Sequence, residues 1–431
     1  MFEAHIYRST GFRFAPGTPE SVHPDKLRGL VKFGPYQPIH VKPRIGFVFP
    51  EGYRDYANNL YLALRNGIGY FKGLSTLLKV PFEKEQVFPI TGFSLPNPHD
   101  HEDAAKRYRD AILSWKAATK ESADIFVNLH PKSLAWEEDS AYGACKAVLL
   151  EAGISSQNVT FELIDNSSQF EWAAANIALA IFVKLGGIPW VTNLESQDKY
   201  IVVGMGRAEK QDHVTRERSQ FTAFTTCVRD NGVYELTHFG KPCTTREEHL
   251  VELRKTAGEA LKRALELGPH IKGIVIHFPK EFARDERDEV EQAIKEASHE
   301  RAFACYTLKV TEEERFFAFD DSENGIPPRG TCIKLGESEY MLYTEGAEEK
   351  AAWSNRLPTA VRIKHFDSPD KLITGDLVSQ IFDLSLVNFR GFNAKAFPVS
   401  LYYSHLIAQI LKRGTGLKLG AEVLEKKMWF L

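Results

Sequence analysis

From about residue 44 the chain alternates short apolar runs with long stretches of helical period: RIGFVFP, RDYANNLYLALRNGIGYFKGLSTLL, QVFPITGF, EDAAKRYRDAILSWKAA and ADIFVNLH follow one another. Apolar runs too short for a helix, separated by amphipathic segments too long for a strand, read as strands and helices in turn. A β-α-β-α-β order buries its apolar faces best as a parallel sheet covered by helices. The rhythm continues through a helix near 138–152, a strand at 159–164 within NVTFELI, and a helix ending in the glycine pair of VKLGG at 183–187. A small doubly wound sheet is therefore expected over residues 38–167, preceded by an extended arm, 1–37, rich in Pro and Gly.

After Pro189 the texture changes. PWVTNL, KYIVVGMG, QFTAFTTCV and VYELTHF precede a long helix at 246–267 and a strand of buried character, IKGIVIHF. A strand meander, a helix and a returning strand is the layout of an RNase H-like sheet. Further strands are expected in RAFACYTL, RFFAFD, TCIKLG, EYMLYTEG and TAVRIKH, and helices at 371–386 and 397–413, so that 168–431 forms a second domain.

A chain of 431 residues accommodates these two domains. Its 54 Lys and Arg against 57 Asp and Glu count against nonspecific wrapping of nucleic acid, so any such site must be local. There is no uninterrupted apolar stretch long enough to span a bilayer, and MFEAHIYRST lacks the basic and apolar regions of a leader. A cytoplasmic protein without membrane association is expected. Cys145, Cys227, Cys243, Cys305 and Cys332 are widely spaced and never form C-x-x-C, which points to buried thiols rather than disulfides or a zinc knuckle.

In AYGACKAVLLEAGISSQNV, Tyr142 and Lys146 stand one helical turn apart and share a face. A ring and an ammonium projecting together suit a nucleotide, the ring stacking on the base and the lysine meeting the phosphate. Gln157 follows in the expected loop, and Lys184 lies in the last turn of the next helix. A terminal phosphate carries about −1.5 to −2 charges, which two lysines and amide donors would neutralise. On spacing alone, the lysines can equally be solvated surface residues and Tyr142 part of the core.

From about residue 30 to its last residue, the chain resembles an Argonaute of the short prokaryotic type: a Rossmann-like MID domain followed by an RNase H-like PIWI domain, an α/β fold. Tyr142, Lys146, Gln157 and Lys184, the last in FVKLGGIPW, are similar in order to that family's pocket for a guide 5′-phosphate. Gln157 lies one residue further from Lys146 than in the archaeal relative, which implies a loop insertion. The resemblance places Asn176 on the first guide nucleotides and Arg390, in NFRGFNAKAFPVSLYYSHLIA, on the guide backbone, although Arg390 could instead pair with Asp383. It also implies that the apolar tail MWFL brings the Leu431 carboxylate to the pocket, where Leu431 and Gln157 hold Mg²⁺ (or Mn²⁺) against the phosphate. Trp429 and Phe430 can equally be a tail packed on the core.

An RNase H-like nuclease gathers carboxylates around two Mg²⁺ ions about 4 Å apart. The resemblance puts the first catalytic Asp at Gly206 in VVGMGRAE and the second at Pro279 in HFPKEF, leaving His405 alone as a retained ligand type. No catalytic residue and no enzymatic activity are expected. Asp285, Glu286, Asp288 and Glu289 read as a solvated helix face, His99-Asp100-His101 as a turn and N-cap, and His277 as a core histidine. The glycines at 204–206 are no dinucleotide motif, since Glu209 stands where the third glycine belongs. The expected function is to anchor a 5′-phosphorylated guide RNA, or else DNA, and pair it with complementary single-stranded DNA without cutting. The expected role is that of sensor in an immune system against plasmids and phage, with a partner protein bearing a PAZ-like domain fused to a Sir2, TIR or nuclease module as effector. Two alternatives stay open: an active nuclease with a non-standard metal site, and a scaffold that binds no guide.

Overall fold

The computed structural model describes residues 2–15, 20–39, 42–119, 122–132, 140–193, 199–211, 218–239, 242–281, 283–298, 304–313, 315–321, 325–346, 358–366, 374–413 and 427–431. The chain divides into two compact units. One comprises Phe12–Trp190, Phe389–Phe392 and Arg413–Leu431; the other comprises Met1–Gly11, Val191–Asn388 and Asn393–Lys412. The unit of the expected doubly wound sheet thus runs on to Trp190, past the expected end at 167. The reason is the helix Ser167–Lys184, which buries eleven of its residues around most of its circumference and so belongs inside the unit it packs with.

In the unit that starts at Phe12, four parallel strands lie in the order Val87–Ile90, Ile45–Val48, Ile125–His130, Ser155–Thr160. Ile45–Val48 and Ile125–His130 are buried at every position, as expected of parallel strands covered on both faces. Val48, Phe126, Tyr108, Ile112, Cys145 and Leu149 form the core between sheet and helices. The helix His101–Ala118 is capped by Asp100, whose carboxylate accepts from Asp103 N at 3.1 Å, so His99-Asp100-His101 is a helix start. The long helical pattern from residue 54 is two helices, Arg54–Asn66 and Leu74–Leu78. Gly67 separates them at φ 89°, where a Cβ would lie 2.3 Å from the Phe71 carbonyl oxygen.

Two expectations change here. Residues 1–37 are not simply an extended arm: Phe12–Arg13 pairs with Val22–His23, and Lys26–Phe33 is a helix capped by Asp25, which accepts from Arg28 N at 2.7 Å. The strand expected at 159–164 runs instead over Ser155–Thr160, and Phe161–Asp165 is a short helix. The shift follows from how the helix Ala141–Glu151 ends. Gly153 adopts φ 72° and donates to Leu150 O at 3.0 Å, while Ile154 donates to Leu149 O at 2.8 Å. This Schellman closure returns the chain to the sheet at once, with no loop, and places Gln157 in the strand opposite Val127.

The other unit is built on a ten-stranded sheet. Its path runs Glu3–Ile6, Thr331–Lys334, Glu339–Leu342, Val361–His365, Ala304–Glu312, Gly273–Phe278, Tyr200–Gln211, Arg218–Arg229, Tyr234–Phe239, with Pro242–Cys243 beside Arg218–Arg229. Gly273–Phe278 is parallel to both neighbours, and the other pairs are antiparallel. RFFAFD forms no strand: Phe316, Phe317 and Phe319 are exposed, while Ala318 packs on the cluster of Met341, Tyr343 and Ala360. Among the described residues no helix is long and apolar enough to cross a membrane, and none of the five cysteines is in a disulfide, Cys305 being only partly buried.

The helices Arg246–Glu266 and Arg284–Ser298 cover one face of this sheet through Leu253, Ala257, Leu261 and Val290 against Ile201, Val203, Ile274 and Ile276. Glu286, expected on a solvated face, is fully buried. It accepts from His249 Nε2 at 2.7 Å, Ala283 N at 2.8 Å, Lys280 Nζ at 3.0 Å and Arg246 Nη1 at 3.1 Å. Burial pushes its carboxyl up, but these hydrogen bonds outweigh burial and hold it well below the usual carboxylate range. Its contribution to stability is present above its ordinary pKa of 4.5 and is lost as pH falls toward the folded value. Glu286→Gln should cost about 3 kcal/mol in urea unfolding at pH 7, with the gap to wild type narrowing as pH drops below 4.5; a gap unchanged at low pH would refute the assignment.

Candidate functional site

The helix Ala141–Glu151 begins at Ser140, whose hydroxyl accepts from Gly143 N at 3.1 Å, and presents Tyr142 and Lys146 one turn apart. Lys146 is buried. Its ammonium donates to Trp429 O at 2.7 Å and lies 5.7 Å from the centroid of the Trp429 ring. Met428, Trp429 and Phe430 are themselves buried, so the tail both packs into the core and reaches the lysine. Tyr142 is half-buried, with its ring edge-on to His130 at 6.3 Å.

Lys184 is 1% exposed and donates to Ser156 O at 2.8 Å and Gln157 Oε1 at 2.7 Å. Its place is set by the way its helix ends. Gly186, at φ 94°, donates to Val183 O at 2.9 Å, and Gly187 donates to Phe182 O at 3.1 Å. A Cβ on Gly187 would sit 2.3 Å from the Phe182 ring. The L-G-G of VKLGG is thus a helix stop that fixes Lys184 in the last turn, facing the strand.

Neither lysine forms an ion pair with an acidic side chain among the described residues. Burial pushes the Lys146 ammonium down to about 7, and the Arg390 guanidinium adds to the push. Lys184 is likewise pushed well below the usual lysine range, first by burial, then by Lys146 and Arg390. Lys146 and Lys184 share one field with backbone carbonyls and one amide as acceptors, an arrangement that an anion would relieve. The Ser155 and Ser156 hydroxyls, in the adjoining strand, are buried with no hydrogen-bond partner among the described residues.

Asn176 lies two turns before Lys184 on the same helix, and the backbone of Gly391 passes close to it: a Cβ there would be 3.3 Å from Asn176 Oδ1. Arg390 precedes that glycine and is exposed. Tyr142, Lys146, Gln157, Lys184, Asn176 and Arg390 therefore all belong to one compact unit. Leu431 is partly exposed and donates through its backbone to Met428 O at 3.3 Å. Gln157 does not fit the metal-ligand role in this arrangement, because its carbonyl oxygen already accepts from Lys184, and a divalent cation there would crowd an ammonium. Sequence reading passed over His130, whose Nδ1 lies 2.9 Å from Pro131 O while Nε2 is buried without a partner, and Lys26, hidden in the supposed arm. Asp25 followed by the apolar spacing of Leu27, Leu30 and Val31 was the available signal for the latter's helix.

In the other unit, the strand position compared above with the first catalytic aspartate is closed off. A Cβ on Gly206 would lie 2.4 Å from Ser404 O, and one on Gly204 would lie 2.1 Å from Ser400 O, because the helix Val399–Arg413 rests directly on that strand. Ser404 Oγ donates to Gly204 O at 2.5 Å, and His277 Nδ1 lies 2.8 Å from Ser400 Oγ. His277 is fully buried and burial pushes it down to about 3. Its other nitrogen has no hydrogen-bond partner among the described residues, so it is a core histidine satisfied there on one side only. Pro279 and His405 are exposed. Among the described residues no three His, Cys, Asp or Glu are grouped to hold a metal ion.

Burying the Lys146 charge destabilises the ligand-free protein at and below pH 7. The penalty fades as pH rises from about 7 toward 10.5, where the unfolded chain loses its proton as well. Lys146→Met should therefore raise the urea midpoint at pH 7, by about 1–3 kcal/mol in stability. The gain should shrink toward pH 10; a variant less stable than wild type at pH 7 would contradict the uncompensated charge.

Residues 134–415 match the Piwi domain family. The Argonaute of Cereibacter sphaeroides is 25% identical over 417 residues, covering 90% of this chain and 53% of that protein. A Piwi protein of Archaeoglobus fulgidus is 23% identical over 314 residues, 67% of this chain and 71% of its own length. In fold the chain is similar to Clostridium butyricum Argonaute bound to a guide DNA and a 19-mer target DNA, with a TM-score of 0.75, 18% identity and coverage of 100% of this chain and 55% of that one. It is also similar to Drosophila Piwi, with a TM-score of 0.70, 16% identity and coverage of 99% and 56%. The chain spans about half the length of the first of these relatives. The parallel sheet of one unit and the mixed sheet of the other agree with the expected Rossmann-like and RNase H-like pair. With a matching segment that covers well over half of its residues, the chain belongs to the Piwi domain family and is Argonaute-like.

Proposed function

We propose that this chain is a guide-dependent nucleic-acid binder that holds a guide strand by its 5′-phosphate and pairs it with a target it does not cut. The observation that carries the reading is the pair of buried lysines, Lys146 and Lys184, with carbonyls for partners and no acidic side chain among the described residues to neutralise them. A dianionic terminal phosphate supplies the missing charge. Tyr142 beside Lys146 offers a ring for the first base, and Asn176 and Arg390 stand where the following backbone would pass. Base pairing then supplies sequence selection, and the protein reads backbone shape.

From the family resemblance we take the guide as RNA, with DNA the alternative, and the target as single-stranded DNA. On the same ground we propose that the chain is the cytoplasmic sensor of a defence against plasmids and phage, with the toxic activity on a PAZ-like-domain partner carrying a Sir2, TIR or nuclease module. A divalent cation at the phosphate would rest on the Leu431 carboxylate and phosphate oxygens, since Gln157 is engaged by Lys184. The close seat of Val399–Arg413 on Gly204 and Gly206 supports a non-cutting protein, because it leaves no volume for a carboxylate at 206.

Nucleic acids that co-purify with the wild-type protein should end-label only after dephosphorylation, and Lys146→Ala/Lys184→Ala should retain none. Strands held equally by the double variant would remove the pocket assignment. With Mg²⁺ or Mn²⁺, wild type should leave a matched target intact. Gly206→Asp should restore no cleavage and should lose about 3 kcal/mol or more of stability, as an overpacked and charged side chain does; a stable, cutting Gly206→Asp protein would overturn the closed-site argument.

A further inference from the structure

The segment Phe389–Phe392 belongs to the compact unit of the parallel sheet, although the residues on either side, Asn388 and Asn393, belong to the other unit. Four residues inserted in this way need a fastening, and the structure shows which residues supply it. The rings of Phe389 and Phe392 lie 5.7 Å and 5.6 Å from the buried Trp190. Lys26, 7% exposed, donates to Phe392 O at 2.8 Å. Its ammonium sits 5.0 Å from the Phe12 ring centroid and 5.3 Å from that of Trp190. Cation–π contacts of this kind strengthen when the cation is withdrawn from water. The helix that carries Lys26 is itself anchored, with Gly29 so close to the Phe14 ring that a Cβ would lie 2.2 Å from it. Between the two phenylalanines stand Arg390, exposed, and Gly391, whose backbone meets Asn176.

We propose that Lys26, held between Phe12 and Trp190, is a positioning residue that fixes the Phe389–Phe392 segment and thereby aims Arg390 at the guide backbone. The inference rests on the reading of Lys146 and Lys184 as the 5′-phosphate anchor. Lys26 touches no guide atom. It acts on binding through the Phe392 carbonyl, so its loss releases the segment and leaves the Arg390 charge without a fixed address.

The test is equilibrium binding of a short 5′-phosphorylated RNA and its 5′-hydroxyl twin over a series of salt concentrations. The proteins are the full chain as wild type, Arg390→Ala, Lys26→Met, Lys26→Arg and the Lys26→Met/Arg390→Ala double variant. Arg390→Ala should weaken binding of the phosphorylated strand by about tenfold to a hundredfold, the size of one charge-assisted contact. It should also lower the slope of log affinity against log salt by about one. Lys26→Met should reproduce most of both changes, the double variant should be no weaker than Arg390→Ala, and Lys26→Arg should recover most of the affinity. A merely structural role would alter the thermal midpoint without altering the salt slope. If Lys26→Met does not fold, Lys26→Gln, which keeps a donor for Phe392 O, gives the same readouts at smaller size.

Additive losses in the double variant, an unchanged salt slope for Lys26→Met, or a silent Arg390→Ala would each overturn the proposal while a retained preference for the phosphorylated strand left the anchor standing. Wild-type protein that bound both RNAs equally would overturn the anchor itself, and the proposal with it.

Discussion

A lysine ammonium held inside the protein is the interaction on which the candidate site depends. Lys184 gives up its water for two hydrogen bonds, to Ser156 O and Gln157 Oε1, and a dehydrated ammonium persists only where such partners are fixed. That requirement reaches outward. The helix must stop where Gly186 and Gly187 stop it, and the strand must begin at Ser155, where the closure at Gly153 delivers it. Ser155–Thr160 is also the last strand of its sheet, so a backbone carbonyl is available to the lysine. An edge that would otherwise invite another strand instead supplies an acceptor to a buried ammonium.

Lys146, Lys184 and Arg390 repel one another, and the unit that holds them is less stable for it. Such local conflict, kept by a fold that could relieve it with methionine, is characteristic of sites shaped for a ligand. The other unit shows the reverse. There the strand Tyr200–Gln211 gives up side chains at Gly204 and Gly206, and the helix Val399–Arg413 settles onto bare backbone. One unit keeps buried charge at the candidate site, and the other has helix backbone packed against Gly204 and Gly206.

The alternation of strands and helices was legible because burial on both sheet faces leaves continuous apolar runs, as in Ile45–Val48, Ile125–His130 and Gly273–Phe278. What misled was polarity in the wrong place. Ser155, Ser156, Gln157 and Asn158 read as a loop, yet they form a strand because its partners in pairing are already buried. Glu286 read as solvated because nothing local marks His249, Lys280 and Arg246 as its neighbours. RFFAFD read as a strand because apolar rings usually pack, and here they do not. Tyr142, Lys146 and Lys184 could be named from spacing and resemblance, but not the burial that gives the two lysines their meaning.

The bond from Lys146 to Trp429 closes a separation of 283 residues. Its partner segment and Phe389–Phe392 are both made long after the sheet they join. During synthesis, the sheet and its helices can assemble early from nearby contacts, since local pairings form first and distant ones cost more chain entropy. The carbonyl partner of Lys146 therefore becomes available only once synthesis has passed Trp429, which makes this corner of the unit a late addition to its own sheet.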